Sequence, residues 1–248
     1  MTKTEIQFVD IHAAEAHSEN WMYRKMRHPF FAWAGLRPPI AQHTEAEHHA
    51  LGKYARGCKS LVEIGIAEGA SAVALRMAMN PAGTLYLVDP FHLSRVPMLN
   101  FLRRAARRVV SVKEGPKIVW MEAFSHTAVQ GWNRPIDFLL IDGDHREEAV
   151  EQDWKDWNPH VAENGVVVFH DARLFPGGWT SGDYGPVRFV DRMFRNQPTL
   201  EWMIVEEVDS LVIVGRKNSV ENRLSQSWTI QASRHATQMR TGPSTSEF

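Results

Sequence analysis

Two clusters of acidic and imidazole side chains each follow an apolar run in this chain of 248 residues. One cluster runs from Asp142 to His145, after residues 136–141, and the other is His170-Asp171, after residues 166–169. Carboxylates and imidazoles accept protons near neutral pH and bind divalent cations. The imidazole of His145 can take a hydroxyl proton without prior ionisation, because the ordinary pKa of histidine is about 6.5. The clusters therefore indicate proton transfer, metal binding or both.

A glycine-containing turn lies earlier in the chain, between an apolar run and a helical pattern. Gly65 and Gly69 bracket this turn, and Glu63 precedes it. Glycine adopts backbone angles that a Cβ forbids, and it lets a ligand approach the main chain closely. The next apolar run, 84–88, ends at Asp89, where a carboxylate in a βαβ unit can accept both hydroxyls of a ribose. These residues predict a nucleoside-binding site.

The elements that must position these groups alternate between strand and helix. Apolar runs predict strands at 61–64, 84–89, 117–121, 136–142, 166–169, 200–205 and 210–215, and apolar residues at helical spacing predict helices at 70–79 and from Pro97, Arg146 and Gly185 onward. The predicted fold class is α/β: a Rossmann-like, doubly wound, mostly parallel seven-stranded sheet with a C-terminal antiparallel hairpin strand and an N-terminal helical segment. In this topology the fourth and fifth strands are neighbours, so the two polar clusters meet at the carboxyl edge of the sheet.

Composition narrows the classes of function. Hydrophobic residues make up 44% of the chain, which is ordinary for a soluble globule, and the formal net charge of −1 gives no bulk attraction to nucleic acid or membrane. The single cysteine, Cys58, cannot form an intramolecular disulfide, and no secretory signal is evident. We expect a cytoplasmic protein with an aromatic-rich helical cap at 1–58, a main domain at 59–216 and a polar tail at 217–248.

The motifs carry a family resemblance. The turn departs from the dinucleotide pattern G-x-G-x-x-G, because Ala67 stands where the second glycine would be. It resembles the E-x-G-x-G-x-G loop of class I S-adenosylmethionine-dependent methyltransferases, with Ala67 again departing at the middle glycine. The DGDH and FHD clusters resemble a small-molecule branch close to sugar and macrolide O-methyltransferases and, more distantly, the catechol and caffeoyl-CoA type. The resemblance covers roughly residues 44–215.

This resemblance implies an enzyme that moves a methyl group from S-adenosylmethionine to a hydroxyl of a small molecule, with no nucleic acid or membrane partner, and it allows a homodimer. It implies His145 as general base, assisted by Asp142. A divalent cation, Mg²⁺ or Mn²⁺, would be held by Asp142, His170 and Asp171; oxygen ligands suit Mg²⁺, whereas the imidazole favours Mn²⁺, Fe²⁺ or Zn²⁺. The implied cofactor-binding residues are Glu63, Gly65, Ala67, Gly69, Ser71, Asp89, Ser125 and Asp142.

Simpler interpretations of the same residues remain open. Without a metal, His170 would only hydrogen-bond in the pocket wall, and His145 would stabilise the start of the next helix, which Asp144 would cap. Thr44 to Glu47 fits a capping box, with a cofactor contact by Glu47 as the alternative. The glycine-rich loop at 174–184 is either a lid or acceptor wall or a plain connection.

Three further alternatives concern the adenine, the arginines and the function itself. Glu122, like Ser125, could hydrogen-bond the adenine. The arginines at 103, 104, 107 and 108 suit a solvated helix face better than an anion site. At the level of function, a metal-dependent hydrolase or hydroxylase that uses the Asp/His cluster, and a non-catalytic nucleoside-binding protein, are the other classes.

Overall fold

The computed structural model describes residues 7–8, 28–91, 100–111, 115–196 and 201–220. The strands are β1 (Gln7–Phe8), β2 (Ile40–Ala41), β3 (Ser60–Ile64), β4 (Thr84–Val88), β5 (Lys117–Met121), β6 (Ile136–Ile141), β7 (Val161–Phe169), β8 (Trp202–Val208) and β9 (Leu211–Arg216). The helices are α1 (28–34), α2 (Glu45–Ala55), α3 (Ala70–Ala78), α4 (Phe101–Val110), α5 (Ser125–Ala128), α6 (Glu147–Trp157), α7 (Gly185–Val190) and α8 (217–220), with a 3₁₀ turn at Asn158–His160 and a π-helical turn at Asp191–Arg195.

Seven of these strands form one sheet in the order β5-β4-β3-β6-β7-β9-β8. The first five strands in this order run parallel to one another, whereas β9 pairs antiparallel with β7 and β8. The chain moves outward from β3 to β5 and then returns to β6, so the strand order reverses between β3 and β6. Ligands of open α/β sheets bind at such a switch point, outside the carboxyl ends of the strands. The predicted fold class is confirmed.

The central strands are apolar throughout because helices cover both faces of the sheet. In β6, Phe138 and Leu140 face the core under α2, α3 and α4, whereas Leu139 and Ile141 face the core under α6 and α7. Successive residues of a strand point to opposite faces, so a strand buried on both faces needs an unbroken apolar run. This packing fixes the carboxyl end of β6, where the first polar cluster begins.

Several boundaries differ from the sequence-based expectations. The helix expected from Pro97 begins at Phe101, because the side chain of Asn100 caps it by accepting the N–H of Arg103 at 3.0 Å; residues 92–99 lie outside the described part of the chain. Strand β7 begins at Val161, five residues before the expected start. The short pair β1–β2 and helix α5 were not expected from the sequence.

The termini are described only in part. Of the N-terminal segment, β1, α1, β2 and α2 are described, whereas 1–6 and 9–27 lie outside the described residues. The polar tail expected at 217–248 begins with four helical residues, 217–220, and 221–248 lie outside the described part. A search of the described part of the chain finds no helix with the length and apolar character of a membrane span.

Candidate active site

The glycine turn after β3 presents its backbone at the switch point. Gly65 has a φ of 86°, and a Cβ at this position would lie 1.9 Å from the carbonyl oxygen of Asp142. Ala67 has a φ of 47°, so the alanine adopts the left-handed backbone that a glycine would favour there. Gly65 and Ala67 are half-buried, whereas the other residues of 61–70 are buried. The backbone of these two residues therefore lines the crevice.

Asp89 follows β4 and is fixed beside this turn. Its Oδ2 accepts the N–H of Ile66 at 3.0 Å, and its Oδ1 accepts the N–H of Phe91 at 2.7 Å. Each carboxylate oxygen has capacity for a further donor. The half-buried carboxylate can thus accept ribose hydroxyls without changing its orientation.

Glu63 lies beneath the turn and is fully buried. The hydroxyl of Ser71 donates to its Oε1, and among the described residues its Oε2 has no hydrogen-bond partner. Burial raises the pKa of Glu63 to about 8, so the carboxyl is protonated at neutral pH. Glu63 and Ser71, both expected from the resemblance to contact the cofactor, contact each other.

The residues after β5 are also engaged within the protein. Ser125 begins α5, and its hydroxyl oxygen accepts the indole N–H of Trp157 at 2.8 Å. The carboxylate of Glu122 pairs with Arg103 at 2.8 Å and with Arg107 at 2.6 Å. Contacts of Ser125 or Glu122 with an adenine therefore stay predictions.

The pairing of β6 with β7 brings the two polar clusters together at the carboxyl edge. Nδ1 of His170 lies 3.0 Å from Oδ1 of Asp142 and 3.3 Å from Oδ1 of Asp171. Nε2 of His145 lies 3.5 Å from Oδ1 of Asp142 and 3.6 Å from Oδ2 of Asp171. Four residues from two separate segments thus form one compact cluster, in which each carboxylate faces both imidazoles.

The charges in this cluster depend on one another. Burial alone would lower the pKa of His170, but Asp142 and Asp171 outweigh it and raise the pKa well above its usual value. Burial would raise the pKa of Asp142, yet His170 and His145 bring it below its usual range. The nearby carboxylate of Asp142 raises the pKa of His145. His170 and Asp142 therefore hold each other in their charged forms.

Glu47 joins the same cluster from α2, and the sequence did not place it there. The predicted capping box is confirmed: Thr44 N–H donates to Oε2 of Glu47 at 2.8 Å, and Glu47 N–H donates to the Thr44 hydroxyl at 3.1 Å. Oε1 of Glu47 accepts the N–H and hydroxyl of Ser210 at 2.7 and 2.6 Å. Nε2 of His170 lies 3.6 Å from Oε2. The S/T-x-x-E pattern identified the cap but carried no sign of the buried contact.

The loop at 174–184 reaches the cluster through two aromatic side chains. The indole N–H of Trp179 donates to Oδ1 of Asp171 at 2.6 Å, and the ring of Tyr184 lies 5.4 Å from that of His145. Asp171 itself has a φ of 54°, which is unusual for a residue with a side chain. The loop therefore forms one wall of the Asp/His cluster, and its role as an acceptor wall or lid stays a prediction.

The helix after His145 does not use either neighbouring polar side chain as its cap. Arg146 is the N-cap of α6, and Asp144 accepts the N–H of Arg146 at 3.0 Å ahead of the first turn. Nε2 of His145 is buried and, within the described residues, has no hydrogen-bond partner. The imidazole faces the carboxylates rather than the start of the helix.

His43 is another imidazole near the cluster that the sequence did not identify. It is buried, and its Nε2 lies 3.1 Å from Nδ1 of His48. Burial, with a contribution from His170, lowers the pKa of His43 to about 3. His43 is therefore neutral and does not supply charge to the site.

The residues present fit a divalent cation. One ligand atom from each of Asp142, His170 and Asp171 lies within 4.8 Å of the others. Ligand atoms at about 2.1 Å from a common ion and at right angles to one another are about 3 Å apart, close to the distances from Nδ1 of His170 to both aspartates. The donor set is mixed, with one imidazole nitrogen among carboxylate oxygens.

Comparison with known proteins agrees with this architecture. Residues 62–172 match the sequence model of a family described as a methyltransferase domain. Cofactor-bound Rv0187 from MTB is similar in structure, with a TM-score of 0.57 and 16% identity over 84% of this chain and 96% of that one.

Two further solved structures share the fold. The O-methyltransferase from Bacillus cereus in complex with SAH has a TM-score of 0.52 and 13% identity over 84% of this chain and 96% of that one. The O-methyltransferase TomG from Streptomyces achromogenes, involved in tomaymycin synthesis and bound to SAM, has a TM-score of 0.51. The two sequences are 15% identical over 77% of this chain and 89% of that one. The chain has the fold of class I S-adenosylmethionine-dependent methyltransferases.

Proposed function

We propose that this protein transfers a methyl group from S-adenosylmethionine to a hydroxyl oxygen of a small molecule, such as a sugar or another natural product. One observation supports it most: the proton-accepting cluster directly adjoins the glycine turn. A Cβ on Gly65 would collide with the backbone of Asp142, so the two sites are in van der Waals contact. A methyl donor on the turn and an acceptor at His145 would therefore be neighbours.

The cofactor would lie across the carboxyl ends of β3 and β4. Asp89 would accept the ribose hydroxyls, and the backbone of Gly65 and Ala67 would contact the amino-acid portion. Ala67 already has the left-handed backbone that the middle glycine of the motif would supply. The S-adenosylmethionine and SAH in the similar methyltransferases support this choice of cofactor.

In the proposed reaction, Nε2 of His145 takes the proton of the acceptor hydroxyl. The oxygen forms a bond to the methyl carbon while the carbon–sulfur bond breaks, and that electron pair stays on sulfur to give S-adenosylhomocysteine. Positioning and electrostatics would supply most of the acceleration, because the protein forms no covalent intermediate. Trp179 and Tyr184 would hold the acceptor beside the base.

A divalent cation would be held by Asp142, Asp171 and Nδ1 of His170. When bound, such a cation acts as a Lewis acid that lowers the pKa of a coordinated hydroxyl. Asp142 would then orient both the cation and His145, since its Oδ1 lies within 3.5 Å of both imidazoles.

The proposal is tested by incubating the protein with methyl-labelled S-adenosylmethionine and a panel of sugars, phenols and polyols, with and without Mg²⁺ or Mn²⁺. Label should appear in an ether product and require the cofactor. Turnover of an acceptor that needs metal but no S-adenosylmethionine would instead favour a metal-dependent hydrolase or hydroxylase. Tight cofactor binding without transfer to any acceptor would favour a binding protein.

A further inference from the structure

We propose that Glu47 is the positioning residue of the cation site: when a cation replaces the proton on Nδ1 of His170, Glu47 stabilises the N–H that stays on Nε2 and so fixes the ring with Nδ1 toward the aspartates. The site then prefers Mn²⁺, Fe²⁺ or Zn²⁺ to Mg²⁺. This inference rests on the cation site of the proposed function and adds the residue that sets its selectivity.

The argument begins with the two sides of the His170 ring. Nδ1 faces Asp142 and Asp171 at 3.0 and 3.3 Å, whereas Nε2 faces Oε2 of Glu47 at 3.6 Å. The ring is 5% exposed, and Nε2 has no hydrogen-bond partner among the described residues. Its nearest acidic neighbour on that side is a carboxylate of a different element, α2.

A histidine that binds a metal through one nitrogen usually donates the other ring N–H to a carboxylate or carbonyl, which fixes the tautomer and the ring plane. The 3.6 Å separation is longer than a hydrogen bond. Without a cation both ring nitrogens face carboxylates, and the aspartates lie closer to Nδ1 than Glu47 lies to Nε2. A cation on Nδ1 would replace the proton there, and the buried carboxylate of Glu47 would then stabilise the N–H that stays on Nε2. Glu47 thus fixes the ring plane in which Nδ1 of His170 is directed between the two aspartates.

Glu47 is held rigidly enough for this role. Its side chain is buried, with Oε1 held by both donors of Ser210 and Oε2 held by Thr44 N–H. The capping box alone uses Oε2 and would be satisfied at a solvent-exposed helix start. The contact with Ser210, 163 residues away, instead turns the carboxylate into the core beside His170.

The nitrogen ligand determines which cations are favoured. Mg²⁺ prefers oxygen ligands in octahedral geometry, whereas imidazole suits Mn²⁺, Fe²⁺ and Zn²⁺ better. A site with two carboxylates and one imidazole therefore discriminates against Mg²⁺ as long as Nδ1 of His170 is free of its proton.

The test compares Glu47→Gln with Thr44→Ala by calorimetric titration of the full-length protein with Mn²⁺ and with Mg²⁺. The glutamine amide keeps the shape of the side chain but lacks the negative charge that stabilises the N–H on Nε2 of His170 when a cation is bound. Mn²⁺ affinity should fall by about 10- to 100-fold. Thr44→Ala removes the other half of the cap but leaves Glu47 beside His170, so its Mn²⁺ affinity should stay within about twofold of wild type.

A second measurement uses the unaltered protein. With histidine labelled by ¹⁵N and Zn²⁺ as the probe, NMR should show Nδ1 of His170 bound to metal and Nε2 still protonated. Coordination through Nε2, or equal Mn²⁺ affinity in Glu47→Gln and wild type, would overturn the role of Glu47. Wild-type protein that binds Mg²⁺ as tightly as Mn²⁺ would overturn the selectivity. If no cation binds at all, the cation site of the proposed function also fails, whereas S-adenosylhomocysteine binding tests the methyl-transfer proposal independently.

Discussion

The two halves of the switch-point crevice are built differently. The half formed by Gly65 and Asp89 comes from one βαβ unit, and both carboxylate oxygens of Asp89 already accept backbone N–H groups. The other half combines α2, the ends of β6 and β7 and the β8–β9 turn. In that half the ring nitrogens Nε2 of His145 and His170 are buried without hydrogen bonds within the described residues.

This difference suggests a division of roles. Buried polar atoms are nearly always hydrogen-bonded, so the Nε2 of His145, which faces the two aspartates, is the nitrogen of this half that suits contact with an acceptor hydroxyl. The first half has the rigid geometry of a binding cradle, whereas the second has the reactive groups. The predictions below separate the two halves, beginning with the largest effect.

Removing the proposed base should slow methyl transfer while leaving the cofactor-binding half, formed by Gly65 and Asp89, intact. We expect His145→Ala to lower the rate of methyl transfer by about 10²- to 10⁴-fold, the range for loss of a general base. Its affinity for S-adenosylhomocysteine should stay within about twofold of wild type, because His145 lies outside the cradle. Parallel kinetic and calorimetric measurements check this, and a rate within threefold of wild type would exclude His145 as the base.

Gly65→Ala should damage both halves because this glycine joins them. The left-handed backbone costs an alanine about 1 kcal/mol, and the Cβ would also lie 1.9 Å from a carbonyl oxygen. We expect a loss of about 3 kcal/mol or more in the free energy of unfolding. Gly57→Ala is the matched control, since Gly57 has a φ of 77° but no atom within 4 Å of its would-be Cβ. The Gly57→Ala control should lose about 1 kcal/mol in the free energy of unfolding, measured by urea denaturation. Equal losses in the two variants would contradict the close contact between Gly65 and Asp142.

Glu63→Gln should change how stability depends on pH. The pKa of Glu63 is raised from 4.5 to about 8 by burial, so the folded protein binds this proton more tightly than the unfolded chain. Its stabilising effect is complete below pH 4.5 and is lost as the pH rises toward 8. The variant, which keeps an acceptor for Ser71, should gain a few kcal/mol over wild type at pH 8, since each pKa unit corresponds to about 1.4 kcal/mol.

Thermal unfolding of both proteins across this range of pH tests that expectation. The difference between them should shrink to near zero at pH 4.5. A difference that does not vary with pH would mean that Glu63 does not hold its proton in the folded state.

Trp179→Phe should have the smallest effect. It removes the N–H donor to Asp171, a hydrogen bond of 2.6 Å to a charged group. We expect methyl transfer and cation affinity to fall by about threefold to tenfold, equivalent to about 1 kcal/mol, with unchanged S-adenosylhomocysteine binding. Trp132→Phe is the control, because its N–H donates to the carbonyl of Arg134, which is not part of the site. Equal effects from both variants would argue against a role for the loop wall.

The two halves also differ in how well the sequence predicts them. The cradle is local: strand, glycine turn, helix and carboxylate follow one another within 25 residues of Gly65, so the motif alone locates it. The apolar runs of β6 and β7 likewise predicted that Asp142 and His170 would meet, because both strands lie buried side by side.

Glu47 and Ser210 could not be found in this way. Their contact joins positions 163 residues apart and depends on the packing of α2 beside the β8–β9 turn. No local sequence pattern predicts that packing. The capping box at Thr44 identified a helix start, but the burial of its glutamate depends on tertiary structure. Helix α4 shows the same limit on a smaller scale. The sequence predicted a start at Pro97, whereas the side chain of Asn100 caps a helix that starts at Phe101.

The most direct test of the account is calorimetric titration of the wild-type protein and Asp89→Ala with S-adenosylhomocysteine. We predict nanomolar-to-micromolar binding to the wild type and a loss of about tenfold to a hundredfold or more in the variant, as expected when hydrogen bonds to a charged group are removed. Mn²⁺ binding should be the same in both proteins. Wild-type protein that shows no heat of binding, or a variant that binds as tightly as wild type, would contradict the placement of a sulfonium nucleoside in this crevice.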